Sequence, residues 1–214
     1  MPTANAKSDQ FSGHCEDPGL DPGDAAIQPI SHTRGYQKIE YAARALKLDF
    51  RGKTVLDIGS STGGFTSYAL ERGAKKVIAV EKGTNQMSAP LRFDSRVELH
   101  EKTDIFTFRT TPPDLILIDI SFLSLTKILK YASMYLTGPG TQLLGMLKPQ
   151  FEAHPQQLTR GVIKNEAIRR QIIKDFENWL KTNHFIILGK RDNATTGRYG
   201  NQERFYHLKL SKPT

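Results

Sequence analysis

The stretch VLDIGSSTGGFTSYALERGA, Val55 to Ala74, constrains the fold more than any other part of the chain. A β-branched, apolar run at Thr54–Ile58 ends on Gly59, and two more glycines follow at Gly63 and Gly64. A helical pattern, Phe65–Arg72, then stops at Gly73, a usual residue just past a helix end. A strand that turns through glycine into a helix opens a βα unit, and it sets backbone N–H groups where an anionic group is favoured. Three ligand readings compete with a plain tight turn. A phosphate loop needs a lysine after its last glycine, and Phe65 stands there instead. A dinucleotide fingerprint needs Gly-x-Gly-x-x-Gly, which Gly59, Gly63 and Gly64 do not supply. The third is S-adenosylmethionine (SAM), whose methionine end carries a carboxylate and an ammonium but no phosphate. Gly59 lets the backbone pass close to such a ligand. The loop Ser60, Ser61, Gly63, Gly64 and Phe65 offers N–H groups to the carboxylate, and Asp57 can accept from the ammonium, directly or through water.

The rest of the chain repeats the alternation. KIEYAARALKLDF, from Lys38, places Ile39, Ala42, Ala43 and Leu46 at helical spacing. Strands are expected at Lys76–Val80, Val97–His100, Asp114–Asp119 and Gln142–Leu147, and helices over Leu125–Tyr135 and Asn165–Thr182. FIILGK and RFYHLKL close the chain as two more strands with no helix between them, so the last should run antiparallel. Five βα units and a terminal hairpin predict a Rossmann-like α/β fold of the class I SAM-dependent methyltransferase type. Its seven-stranded sheet is mostly parallel, with helices on both faces. Ligands in such a sheet lie beyond the carboxyl ends of the strands. Glu81, ending the second strand before Lys82, is placed to accept both ribose hydroxyls of an adenosine. Asp104 and Ile105, after the third, fall at the adenine edge. A solvated glutamate and a capping aspartate are the plain alternatives.

Composition narrows the partners. The chain's 214 residues suit one domain, no apolar run approaches the roughly 20 residues of a spanning helix, and no signal peptide is legible. One cysteine, Cys15, excludes an internal disulfide and fits a reducing, cytoplasmic setting. Residues 1–30, rich in Pro, Gly and Asp, read as a flexible tail, and 31–214 as the domain. The tail holds one lysine and five acids, so with a net charge of +8 the remainder carries +12. A domain that basic points to a polyanion, RNA or DNA first. The six histidines lack the paired spacing of a zinc site, and no metal is expected.

Two charged residues close apolar strands: Asp119 ends LILID and Lys148 ends GMLK. A carboxylate there is costly unless paired, and neighbouring strand ends would bring the two together. RGYQKIEYA, LDIGSSTGGFT, GTNQM, IDISFLSL, LKPQFE and GNQERF, spread from Arg34 to Leu210, carry a wider resemblance. The chain resembles the TlyA family, the haemolysin-A-like ribosomal RNA 2′-O-methyltransferases, whose catalytic domain is of FtsJ/RrmJ type. The resemblance implies a catalytic tetrad of Lys38, Asp119, Lys148 and Glu203 serving in-line methyl transfer from SAM to a ribose 2′-hydroxyl. Lys148 is the candidate base. A free lysine is almost wholly charged at pH 7, so a lysine base needs cations nearby, here Lys38 and the sulfonium. Asp119 and Glu203 would hold lysines and ribose in line. Without the resemblance, Lys38 and Glu203 read as surface residues.

Arg34, Arg160, Lys164, Arg198 and Arg204 flank these positions in sequence and are expected to meet phosphates. Phe122 and Tyr199 could stack on an extruded base, against core packing for the first and a solvated loop for the second. Family members usually carry an S4-type RNA-binding domain before the catalytic one. Here residues 1–30 read as tail, so affinity would come from the basic face, an accessory RNA-binding protein or an assembled ribosomal particle. The rival readings are a non-catalytic RNA-binding or ribosome-assembly factor on the same fold, and a membrane-active haemolysin.

Overall fold

The computed structural model describes residues 33–197 and 200–211. The tail expected at 1–30, and Arg198 and Tyr199, lie outside the described residues.

Helix α1 (Arg34–Leu46) precedes β1 (Thr54–Ile58), α2 (Gly64–Glu71) and β2 (Lys76–Val80). A one-turn helix α3 (Ala89–Arg92), β3 (Val97–His100) and a 3-10 turn at Ile105–Thr107 lead to β4 (Leu115–Ile118). Then come α4 (Leu125–Tyr135), β5 (Gln142–Leu147), α5 (Pro149–Glu152), a 3-10 turn at Pro155–Gln157, α6 (Glu166–Thr182), β6 (Phe185–Asp192) and β7 (Arg204–Leu210). The seven strands form one sheet in the order β3-β2-β1-β4-β5-β7-β6. All pairings among β1 to β5 are parallel, while β7 lies between β5 and β6 and is antiparallel to both. The Rossmann-like sheet with one antiparallel strand is as the sequence pattern implies. Two of the expected βα units are reduced, however. The connections β2–β3 and β3–β4 carry only the four-residue α3 and the 3-10 turn, where no apolar period supports a longer helix.

Period-two alternation divides the core. Leu56, Ile58, Ile116 and Ile118 face α4 and α6, and pack with Ile128, Leu129, Ile173, Phe176 and Leu180. Val55, Leu115, Leu117 and Leu144 face α1 and α2, and pack with Ile39, Ala42, Tyr68 and Ala69. Each such aliphatic side chain, fully buried, contributes about 1.5–3 kcal/mol. Asp57 lies in register with Val55 on the α1–α2 face, so its carboxylate is directed at α2 and not at solvent.

α1 begins four residues before the expected Lys38. Thr33 caps it, its hydroxyl accepting from the Tyr36 N–H at 3.2 Å. Gly35, a poor helix former, obscured this start in sequence. Its purpose is packing. α1 and α2 cross where a Cβ on Gly64 would stand 2.6 Å from the Tyr36 nitrogen and 2.9 Å from the Gly35 carbonyl carbon. The small-residue crossing draws the first turns of α1, and so Lys38, onto the glycine loop.

Candidate active site

Strand order builds the site. β4 and β5 are parallel neighbours, so Asp119 and Lys148 emerge side by side at the same edge. β7 runs the opposite way, with Leu147 opposite Arg204, so the residue just before β7 meets the residue just after β5. That residue is Glu203. α1 lies over this edge and lowers Lys38 into the group. Lys148 Nζ is 2.6 Å from Asp119 Oδ1, and Lys38 Nζ is 2.9 Å from Glu203 Oε2 and 3.8 Å from Asp119 Oδ2. The four side chains are 5–17% exposed. Lys38 and Glu203 are therefore buried, against the plain surface reading of each. Lys148 also donates to Ser121 Oγ at 3.0 Å, a contact with no sequence signal beyond its place in DISF.

A cleft of about 350 Å³ opens over this group and over Gly59, Ser60, Ser61, Gly64 and Phe65. A second cavity, of about 510 Å³, adjoins it, sharing Gly59, Ser61, Asp119 and Ser121. It is lined further by Glu81, Lys82, Asp104, Ile105 and Phe122. Together they form a continuous groove across the ends of β1, β2 and β4. Gly59 has φ +85°, and a Cβ there would stand 2.8 Å from the Asp119 carbonyl oxygen, so only glycine keeps the groove open at its centre. Gly63, at the N-cap of α2, has no side chain to cap the first N–H groups of the helix.

The adenosine-side residues hold one another. Glu81 accepts from the Ser61 N–H at 3.0 Å and the Gly83 N–H at 2.7 Å. Asp104 caps its 3-10 turn through the Phe106 N–H at 3.0 Å and pairs with Lys82 at 3.1 Å. The capping alternative for Asp104 thus holds, beside its place in the cavity wall. Asp57 lines neither cavity. It accepts from Thr66 Oγ1 at 2.7 Å beneath the loop, and burial, with Asp119 nearby, raises its pKa to about 7 while the Thr66 hydroxyl opposes the rise. That hydrogen bond supports the loop from below.

The proposed RNA residues divide. Phe122 is not core; it is 87% exposed, at φ +68°, with its ring 5.3 Å from that of Phe151. Arg34 lines the cleft and donates to the Thr196 carbonyl at 2.8 Å. Arg160 and Lys164 are exposed on a segment tied to the site by Asn201. Arg204 departs from expectation. Its guanidinium grips Asp192 at 2.6 and 2.9 Å, so a phosphate would have to displace a bidentate carboxylate.

Several residues that sequence reasoning passed over hold the site together. Buried Asn201 accepts from the Ile163 N–H at 3.0 Å and donates to the Gly161 carbonyl at 2.9 Å. Gln202 donates to the Asn193 carbonyl at 2.7 Å. Glu152, the last residue of KPQFE, accepts from the Leu125 N–H at 2.6 Å and Ser124 Oγ at 2.7 Å. Burial raises its pKa, and those donors oppose the rise. It caps α4 from the end of α5 and so ties the loop after Asp119 to the short helix after Lys148. The signal was present in GNQERF and KPQFE, whose polar residues have no surface pattern. Glu152→Ala is expected to lower stability by about 1–2 kcal/mol, the loss of a cap, and Glu152→Gln to recover most of it by keeping one acceptor. Urea unfolding of the three proteins checks this.

Among the described residues no group of three or more metal-ligating side chains occurs, and no helix is long and apolar enough to cross a membrane.

The FtsJ-like methyltransferase family model matches residues 32–210. YqxC of Bacillus subtilis is 35% identical over 82% of this chain, which spans 64% of YqxC, under two thirds of its length. The Campylobacter jejuni protein TlyA, named a 23S rRNA (cytidine-2′-O)-methyltransferase, is 33% identical over 85% of this chain and 72% of its own. A solved structure from Streptococcus thermophilus, named as a hemolysin, superposes with a TM-score of 0.80 at 34% identity, over 85% of this chain and 68% of that one. A SAM-dependent methyltransferase of Mesorhizobium loti shares the fold at a TM-score of 0.60 and 13% identity, over 84% of this chain and 99% of that one.

Proposed function

The chain belongs to the FtsJ-like methyltransferase family, and on that premise we propose that residues 31–214 catalyse SAM-dependent methylation of a ribose 2′-hydroxyl in ribosomal RNA. The observation that carries the reading is the meeting of Lys38, Asp119, Lys148 and Glu203 at one end of the glycine-loop groove.

The groove suits the cofactor on its own chemistry. Ser60 Oγ is buried in the cleft with no hydrogen-bond partner among the described residues, and Gly59 leaves a cradle that a Cβ would fill. Ser60, Ser61, Gly63, Gly64 and Phe65 would hold the carboxylate end, and Glu81 the ribose, with Lys82, Asp104 and Ile105 around the adenine. When bound, SAM supplies an electrophilic methyl on a sulfonium. The chain's own residues orient and deprotonate the acceptor. Lys148 would take the proton of the 2′-hydroxyl as that oxygen becomes the acceptor. Asp119 holds Lys148 in place, and Glu203 holds Lys38 beside them. Fixing the acceptor in line is itself worth several kcal/mol of barrier. Arg34, Arg160 and Lys164 would meet phosphates, and the exposed ring of Phe122 would stack on the base of the target nucleotide.

Calorimetry with SAM, then tritium transfer from methyl-labelled SAM to bacterial ribosomal RNA, tests the reading. SAM binding and transfer are expected for the wild type, with transfer lost in Asp119→Ala. Equal transfer by both proteins removes the tetrad assignment. Salt-dependent RNA binding without product would mark a non-catalytic RNA-binding factor.

A further inference from the structure

A third cavity, of about 490 Å³, lies beside the tetrad and outside the groove, lined by Tyr41, Lys190, Arg191, Asp192, Asn193 and Arg204. It sits at the catalytic edge of the sheet. Asp192, the last residue of β6, is opposite Arg204, which is opposite Leu147 at the end of β5. Tyr41 follows Lys38 by one turn of α1, and the Asn193 N–H donates to the Glu203 carbonyl at 2.9 Å. An RNA strand whose target ribose reached the tetrad would have its neighbouring backbone close to this cavity.

Its chemistry is that of an anion site. Lys190 is held by Glu177 at 2.8 Å, and Arg204 by Asp192. Asp192 is also gripped by Arg169 at 3.1 Å, so the one carboxylate in the lining is doubly neutralised. Arg191 differs. Its Nε donates to the Tyr41 hydroxyl at 3.0 Å and its guanidinium lies 5.9 Å from the centre of that ring, but no carboxylate pairs with it among the described residues. The cation is anchored by a neutral partner and keeps its charge for a ligand. Asn193, in the same lining, is an unpaired donor. It is 4% exposed, and its side-chain Nδ2 has no acceptor among the described residues. A buried donor left without an acceptor costs about 1–3 kcal/mol, and such a group calls for a partner. With an unpaired guanidinium in the same cavity lining, an oxyanion is the acceptor whose chemistry suits both.

We propose that this cavity binds a backbone phosphate of the RNA strand flanking the nucleotide at the tetrad, with Arg191 as its charge partner and Asn193 as its neutral donor. The site rests on the proposed RNA substrate and deepens it: it would position the strand without reading its sequence. It also answers for Arg204, which serves by neutralising Asp192 and not by meeting phosphate itself.

The test is filter binding of bacterial ribosomal RNA between 50 and ~200 mM KCl, the range over which phosphate contacts are read out as a salt slope. Wild type, Arg191→Ala and Lys209→Ala are compared; Lys209 is exposed at the opposite end of β7. Arg191→Ala is expected to make the slope of log K against log salt shallower by about 0.7–1, one phosphate contact. Its KM for RNA should rise about threefold or more, with kcat, SAM affinity and melting temperature as in the wild type. Lys209→Ala should match the wild type. If Arg191→Ala keeps the full slope while the wild type methylates RNA, the cavity is not a phosphate site although the enzymatic reading stands. If the wild type neither binds nor methylates RNA, the substrate reading fails and this inference with it.

Discussion

Replacing Lys148 by methionine is expected to slow methyl transfer by about 10²- to 10⁴-fold, the usual worth of a positioned general base, with SAM affinity little changed. Lys148 shares the tetrad's shortest contact, 2.6 Å, with Asp119, and it bonds to Ser121 as well. Methionine fills the same space without a proton acceptor. The substitution leaves Asp119 with Lys38, at 3.8 Å, as its remaining cation. Removing one partner of a buried pair can cost on the order of 3–5 kcal/mol of stability, so rates are compared well below each variant's melting temperature. Residues that act as a unit lose activity non-additively. The double variant Lys148→Met with Asp119→Asn is therefore expected to be no slower than the slower single one. Single-turnover transfer to ribosomal RNA measures this. A Lys148→Met rate within tenfold of the wild type would place the proton acceptor elsewhere.

Stability should depend on pH through Asp57. Its carboxyl is fully buried on the α1–α2 face, and its pKa is pushed up to about 7 from the ordinary carboxyl value, first through burial and then through the charge of Asp119. Between those values the folded chain keeps a proton that the unfolded chain has lost. The contribution is thus fully present below about pH 4. It declines as pH rises toward 7, and is flat above. Holding the proton up to about pH 7 corresponds to about 4 kcal/mol of differential interaction. Asp57→Asn mimics the neutral acid and removes this decline. The difference in unfolding free energy, Asp57→Asn minus wild type, is expected to grow by about 4 kcal/mol from pH 4 to pH 7.5. Urea unfolding across that range measures it, and parallel curves for the two proteins would show that Asp57 is ionised throughout.

Much of this architecture was legible because its signals are local. The β-branched runs at Thr54–Ile58 and Lys76–Val80, the four apolar residues of β4 and the amphipathic α6 each declare themselves within a few residues. The Gly59 loop was legible because its glycines have no role in an ordinary helix or strand. What sequence could not show is what depends on strand order. Glu203 faces Lys148 only because β7 inserts beside β5 in the antiparallel sense, and nothing in RFYHLKL states which neighbour it takes. Lys38 enters the site only because Gly35 and Gly64 let two helices cross closely. Both residues were reached by resemblance alone. Asp57 and Arg204 show the opposite limit. Each has the right chemistry for a ligand contact, and in the fold Thr66 engages the first and Asp192 the second, pairings that residue type alone does not state.

The most direct test of the central claim is the identity of the methylated product. Ribosomal RNA from cells lacking this protein is incubated with it and methyl-labelled SAM, digested to nucleosides and resolved by mass spectrometry. A 2′-O-methyl ribonucleoside, absent when Lys148→Met replaces the wild type, is the expected result. Label on a base or on protein, or no transfer with SAM demonstrably bound, would contradict the account.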